Sequence, residues 1–382
     1  MSWPKAKLSE VAPAKPLRKI GRIDEDHVLQ ITLDHIESES GRLLKRNYAP
    51  VSEAGSSTHW FDNRYVLYSK LRPYLNKVYL PDELGIGTTE LVPMLPNDQV
   101  LDRKYLAYFL RSKTFVDWVS SQTAGAKMPR VSMKVFWDYE IPLPPLAEQE
   151  RIAAILDKAD AIRRKRQQTI QLADDFLRAV FLDMFGDPVT NPKGWDVKTF
   201  GELGTWASGG TPSRKNSDYF EGDINWYSAR ELNHRYLSGS IEKITDTALK
   251  NSAAKIFPEG SMLVGMYDTA AFKISILREP SASNQACANI IPGELLDIEW
   301  FYSFIEFSKE TYLRQRRGVR QKNLNLGMIK DFELPLPPIE EQRKFKVIAE
   351  KLLNSKLLQV HSAGLAIASF SSLSQKAFSG GL

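Results

Sequence analysis

Asp138-Tyr139-Glu140-Ile141-Pro142-Leu143-Pro144-Pro145-Leu146 returns 193 residues later as Asp331-Phe332-Glu333-Leu334-Pro335-Leu336-Pro337-Pro338-Ile339. The same offset carries Glu148-Gln149 onto Glu341-Gln342 and Gly125 onto Gly318. Further upstream, Trp3 and Leu8-Ser9-Glu10-Val11 are echoed at an offset of 192 by Trp195 and Phe200-Gly201-Glu202-Leu203. Several chance matches would not share one offset, so the chain reads as two tandem copies of one module.

Each copy opens with a mixed segment. Val66-Leu67-Tyr68 and Lys77-Val78-Tyr79-Leu80 read as strands in the first copy, as do Met262-Leu263-Val264 and Lys273-Ile274-Ser275-Ile276-Leu277 in the second. Tyr105 to Val119 and Ile298 to Tyr312 are expected as aromatic-rich helices packed on a sheet.

Each copy then closes with a long helix. Pro144-Pro145 forces an extended approach and can occupy a first turn, where no backbone N–H is needed. Glu148 and Glu150 follow at the positive end of the helix dipole. Ile152, Ile155, Ala159 and Ile162, then Ala173, Phe176 and Val180, recur at three-four spacing, interrupted by Arg166 and Thr169. Gly186-Asp187-Pro188 ends the helix, and residues 188–194 make a linker to Trp195. The second copy offers Phe345, Ile348 and Leu352, then, out of phase, Leu353, Leu357, Val360 and Ile367. Gly364 and a Ser-rich end predict a weaker helix there.

Two such stripes are covered if the helices pair as an antiparallel coiled coil. The expected fold is therefore α+β: two similar globular α/β modules separated by two long antiparallel helices, with a pseudo-two-fold repeat. The expected boundaries are 1–145, 146–186 (central helix), 187–338 and 339–382 (C-terminal helix). A helix over 148–185 would run about 57 Å at ~1.5 Å per residue, the length of a ruler between modules.

Composition bounds the function. The 382 residues are 43% hydrophobic and 25% charged, as in an ordinary soluble protein. No apolar run is long enough to span a bilayer, and Met1-Ser2-Trp3-Pro4-Lys5 lacks a secretory signal's apolar stretch, so a cytoplasmic protein without a membrane partner is expected. Cys287 is the single cysteine, which excludes a disulfide framework. The net charge of +5 is a weak signal for an anionic partner. It is also spread thinly: residues 1–147 hold 20 basic against 17 acidic side chains, and 186–338 hold 18 against 19. Any nucleic-acid surface must be local.

No phosphate-binding loop, dinucleotide fingerprint or nucleophile elbow occurs. The Asp/Asn-Pro-Pro-aromatic motif of amino-methyltransferases is missing too, since Asp187-Pro188-Val189 and Asn191-Pro192-Lys193 both fail it. The histidines at 27, 35, 59, 234 and 361 show no metal-ligand spacing, so the expectation is a non-catalytic chain without metal.

The best binding segment runs from Arg314 to Asn323 and includes Arg316, Arg317, Arg320, Gln321 and Asn323. Arginine reaches phosphate or pairs with guanine, and Gln and Asn pair with adenine. The first copy places Gln122 to Arg130 there, with Lys127 opposite Arg320 and Arg130 beside it. A solvated helix end is the competing reading. Further candidates are Lys70 and Arg72 in Tyr68–Tyr74, Thr88 and Thr89, and, in the second copy, Tyr267, Asn284 and Gln285. Gly209-Gly210-Thr211-Pro212-Ser213-Arg214-Lys215 either cradles a phosphate, with Arg214 and Lys215 beside it, or is a plain turn. Arg163-Arg164-Lys165-Arg166 points around its helix rather than along one face, so it is expected as a solvated or partner-facing patch.

The ensemble of Leu143-Pro144-Pro145-Leu146-Ala147-Glu148-Gln149, Phe185-Gly186-Asp187-Pro188, Asn191-Pro192-Lys193-Gly194-Trp195, Gly209-Gly210-Thr211-Pro212, Leu336-Pro337-Pro338-Ile339-Glu340-Glu341-Gln342 and Ala377-Phe378-Ser379-Gly380 resembles the specificity subunit (HsdS) family of type I restriction-modification systems. Gly380-Gly381-Leu382 departs from that family's usual Gly-Glu-Leu ending. The resemblance implies two target recognition domains, each reading one half of a split, asymmetric site on double-stranded DNA. It implies helices that set the gap and dock two methyltransferase (modification) subunits, which restriction subunits join. S-adenosylmethionine would belong to the methyltransferase, with no cofactor on this chain. The competing function is an assembly scaffold whose modules bind proteins and read no DNA; a stand-alone nuclease is disfavoured by the missing motifs.

Overall fold

A computed structural model describes residues 3–17, 26–125, 127–314 and 323–381, and the side chain of each except Asp268. The chain divides into two compact units, Met1–Gln168 with Gln359–Leu382, and Thr169–Leu358. Each unit thus holds one globular module and a portion of both long helices.

In the first unit, one sheet has the strand order Tyr48–Pro50, His27–Ile31, Gly85–Thr88, Thr58–Phe61, and a second has Val78–Tyr79, Val66–Ser69, Leu91–Met94. In the second unit the larger sheet runs Gly204–Ser208, Cys287–Pro292, Met262–Gly265, Ile274–Leu277, Tyr236–Leu237, and the smaller Glu242–Ile244, Ile224–Tyr227, Ala282–Ser283. Both modules are tied shut in the same way. Lys5–Lys7 pairs antiparallel with Glu140–Pro142, and Asp196–Thr199 with Glu333–Leu336, so the strand leading into each Pro-Pro is zipped to the start of its own copy.

The aromatic stretch of the second unit is one helix, Ile298–Leu313, as expected. Its counterpart is not: Tyr105 to Val119 divides into Arg103–Leu110 and Lys113–Ser121. The break falls at Arg111-Ser112, where the Ser112 hydroxyl accepts from the Phe115 amide and starts a new helix.

The long helices run Leu146–Phe185 and Ile339–Ser379. The second carries through Gly364 and the serines without interruption, contrary to the expected weakness. Within each unit the helix portions pack antiparallel. In the first, the Arg163 guanidinium lies 5.4 Å over Phe370, and Arg166 hydrogen-bonds Ser362. In the second, Lys356 pairs with Asp174, and Phe345 meets both Phe181 and Phe185.

The expected seam needs correction. Ile162, Phe176, Ile348, Leu357, Val360 and Ile367 are exposed. The buried apolar residues are Ile152, Ala153, Leu156, Leu177, Phe181 and Phe185 on the first helix and Phe345, Ala349, Ala363 and Ala377 on the second. The reason is that the inward stripe of each helix serves its module's core as well as the other helix. Ile152, Leu156 and Ala377 join Leu106, Tyr105 and Phe115 in one cluster; Leu177, Phe181 and Phe345 join Trp300, Phe301 and Met262 in the other. Each helix has only one such stripe to give.

The linker is a fixed turn. Gly186 and Asn191 take left-handed φ angles of 79° and 46°. Asp187 accepts from the Val189 and Thr190 amides, which holds its carboxyl below the usual range. Trp195 then donates its indole N–H to the Phe185 carbonyl, 3.1 Å away, clamping the helix end.

Candidate nucleic-acid interface

Beyond that shared core, a buried glutamine ties each module to its helix. Gln149 accepts from the Asp102 amide (2.9 Å) and donates to the Val100 and Pro144 carbonyls (2.8 Å each). Gln342 accepts from the Asp297 amide (2.9 Å) and donates to Leu295 (3.0 Å) and Pro337 (2.8 Å). Asp102 and Asp297 are themselves the N-caps of Arg103–Leu110 and Ile298–Leu313. The Gln repeated in the sequence therefore fixes the long helix to the first aromatic helix of its module.

Away from that joint, backbone hydrogen bonds gather the candidate residues. In the first unit three segments meet. The Lys70 amide donates to the Glu90 carbonyl (3.1 Å), the Val131 amide to the Lys70 carbonyl (3.1 Å), and the Arg72 amide to the Pro129 carbonyl (2.8 Å). Arg72 sits at a left-handed φ of 48°. Arg72, Thr89 and Lys127 are exposed, while Lys70 and Thr88 are half-buried. Arg130 is exposed but paired with Glu90 at 2.9 Å.

The second unit repeats the scheme. The Leu324 amide donates to the Met266 carbonyl (2.8 Å), the counterpart of Val131 to Lys70, and the Met266 amide donates to Ala286 (2.9 Å). Tyr267, Gln285 and Asn284 thereby flank the place where Asn323 returns to the sheet, and Thr211 hydrogen-bonds the Gln285 side chain. Tyr267 and Gln285 are exposed, Asn284 and Asn323 half-buried. Arg316, Arg317, Arg320 and Gln321 lie outside the described residues.

The Gly209–Lys215 stretch is a turn rather than a cradle. The Gly209 and Gly210 amides donate inside the module, to the Cys287 (3.0 Å) and Ser283 (2.9 Å) carbonyls. A Cβ at either glycine would stand 2.2–2.3 Å from neighbouring backbone, which explains the pair. Arg214 is occupied by Glu242 and stacks 4.2 Å over Phe220, so it serves the module's own packing; Lys215 is exposed. The basic run on the first helix is likewise largely engaged, with Arg163 and Arg164 both on Asp160.

His59, read from sequence as a lone histidine, belongs to this neighbourhood. It pairs across the sheet with Gly87, beside Thr88. Its Nε2 is buried without a hydrogen bond, and burial, with Lys70 nearby, pushes its pKa down to about 4. Cys287 is buried, which pushes its thiol up to about 12 and leaves it unreactive. Among the described residues no cluster of His, Cys, Asp and Glu could hold a metal, and no helix is long and apolar enough to cross a membrane.

The chain is thus two copies of a mixed module, each followed by a long helix and presenting loops of different chemistry. The sequence model described as type I restriction modification DNA specificity domain matches residues 73–172 and 192–359, most of the chain, and the protein belongs to that family. Its sequence is 33% identical over 162 residues to the MjaIX specificity subunit of Methanocaldococcus jannaschii, covering 41% of this chain and 37% of that one. It is 26% identical over 264 residues to the EcoR124I/EcoR124II specificity subunit of Escherichia coli, covering 65% and 62%. The matches thus span less than two thirds of either relative. The S subunit of a type I restriction-modification system from M. genitalium shares the fold, with a TM-score of 0.60 at 14% identity over 98% of this chain and 96% of that one. A chain from a type I R-M complex does so as well, at 0.61 and 18%, over 100% and 98%.

Proposed function

We propose that the chain is the DNA-reading subunit of a type I restriction-modification complex, in which each module reads one half of a split site on double-stranded DNA. The observation that carries this is the shared loop scaffold. The Lys70–Val131 and Met266–Leu324 hydrogen bonds hold equivalent segments, which present Lys70, Arg72, Thr88, Thr89, Lys127 and Arg130 in one copy and Tyr267, Asn284, Gln285 and Asn323 in the other. Different side chains on one scaffold suit different half-sites. Affinity would come from phosphate contacts and fall with salt; discrimination would come from a few base-edge contacts, each about 1–3 kcal/mol.

The long helices supply the docking surface for two methyltransferase subunits, which hold S-adenosylmethionine, and restriction subunits complete the assembly. Their exposed apolar residues support this: Leu172 and Phe176 (57% and 56% exposed) on the first helix, and Leu358 and Leu365 (73% and 59%) on the second. Leu358→Asp should release a methyltransferase subunit on size-exclusion chromatography.

The deciding experiment is selection of random duplex by the complex with methyltransferase subunits. A two-part motif with a fixed gap is expected, and exchanging residues 187–338 for those of another member should replace one half of it. An assembled complex that enriches no motif would overturn the reading in favour of a scaffold.

A further inference from the structure

The first unit carries a short ribbon that is not part of its two larger sheets. Thr123–Ala124 and Arg130–Val131 pair antiparallel as a two-stranded sheet of their own. The returning strand is pinned to the candidate reading segment. Arg130 forms a bridge with Leu71, the Arg72 amide donates to the Pro129 carbonyl (2.8 Å), and the Val131 amide donates to the Lys70 carbonyl (3.1 Å). Main-chain bonds therefore set where the hairpin tip stands, whatever side chains it carries.

That tip leaves an apolar side chain in the open. Gly125 turns at a left-handed φ of 101°, and a Cβ there would come within 3.3 Å of the Met128 carbonyl oxygen. The same carbonyl accepts from the Arg130 guanidinium at 3.5 Å, and that guanidinium is paired with Glu90 at 2.9 Å. The Met128 main chain is thus engaged within the hairpin while its side chain is 45% exposed. Val131 is buried, Thr123 is half-buried, and Ala124 and Gly125 are too short to reach far. Among the described residues of the hairpin, Lys127 and Met128 remain as the long side chains at the exposed tip.

We propose that Met128 reads a thymine in the half-site of the first module, packing against the C5-methyl group of the base in the major groove. The inference rests on the DNA-reading function proposed above and adds the kind of base and contact. A lone exposed methionine is ordinary on a protein surface; the place of this one is what matters. A two-stranded ribbon is a shape the major groove admits, and the thymine methyl is displayed in that groove and recognised by apolar contact. Lys127, next in the chain, supplies a cation for the neighbouring phosphate, which fixes register without reading sequence. The flexible, polarisable thioether adapts to the methyl group. The pinned main chain leaves little backbone ordering to be done on binding.

The test uses the complex with methyltransferase subunits on its selected duplex. Thymines of the first module's half-site are replaced one at a time by deoxyuridine, which lacks only the C5-methyl. One replacement should weaken binding about fourfold, the worth of one buried methyl group. Met128→Ala should bind the thymine and deoxyuridine duplexes alike, and Met128→Leu should keep the difference. A half-site in which no deoxyuridine weakens binding overturns the contact. So does a sensitive position that stays equally sensitive in Met128→Ala. Under either result an enriched two-part motif leaves the reading function standing, whereas enrichment of no motif fells both.

Discussion

Gln149 and Gln342 make the same three hydrogen bonds to the same kinds of group, whereas Lys70-Leu71-Arg72 and Met266-Tyr267-Asp268 share a backbone hydrogen bond and no side-chain chemistry. The difference follows from where the specification lies. A buried amide with one acceptor and two donors in use has no substitute: Glu lacks the donors, and Leu lacks both. A surface segment held by its own main chain accepts almost any side chain. The copies therefore match at this buried glutamine joint and diverge where the backbone does the holding.

The largest expected effects test the matching side. Gln149→Ala strands the Asp102 amide and two carbonyls, and Gln342→Ala does the same around Asp297. Each should cost about 3–5 kcal/mol, since a buried group left unsatisfied costs roughly 1–3 kcal/mol. Unfolding followed by hydrogen exchange should assign the loss to the unit carrying the change. Losses that differ greatly between the two variants would break the equivalence. Glu299→Ala comes next. Arg235 and Glu299 are nearly buried (13% and 7% exposed), and removing the carboxylate leaves a charge uncompensated, at about 3 kcal/mol. Position 104 is the counterpart of 299, and there Lys104 pairs with Asp157 in the open. Lys104→Ala should cost under about 1 kcal/mol by the same measurement.

These contrasts explain what could be read from the chain alone. The repeat, the Pro-Pro helix starts and the strands were legible because each is local: a rigid dipeptide, a spacing, a β-branched run. The buried face of the long helices was not. Ile162 and Phe176 have the right spacing for a seam, but a helix that also fills its module's core exposes one stripe to bury another, and only tertiary packing selects which. The break at Arg111-Ser112 is masked by aromatic residues that continue across it, although Ser112 is itself a capping residue. The candidate site was legible in part. Residues 70, 90 and 131 lie far apart in the chain and are joined by main-chain hydrogen bonds, which leave no mark in composition. His59 gave no signal because desolvation is a property of the fold.

His59 offers a smaller and pH-dependent effect, confined to the first unit. Its folded pKa of about 4 lies below its ordinary value of 6.5, so the fold disfavours the protonated form. The unfolded chain then binds the extra proton between those values, and stability must rise with pH across that window. The stabilisation is complete above pH 6.5 and is lost as pH falls towards 4. With part of the ring still reached by solvent, the change should be no more than about 2 kcal/mol. Urea midpoints at pH 7 and pH 4.5 should diverge less in His59→Gln than in the parent chain. Equal divergence in both would assign the pH response to other groups.

The finest test sets one reading face against the other. On the proposed function, Arg72 contributes a phosphate contact from the first module, whereas Gln285, an amide already held by Thr211, acts through base edges in the second. Arg72→Ala should lower the slope of log affinity against log salt by about 1 and weaken all sequences alike. Gln285→Ala should leave that slope unchanged and cost about 1 kcal/mol of discrimination at one position in one half of the motif. Both slopes and discrimination come from competition binding at several salt concentrations. If Gln285→Ala changes the slope while Arg72→Ala changes the sequence preference, the roles are reversed. If both changes act on both halves of the motif, the modules do not read separately, and the divergence of their loops has another cause.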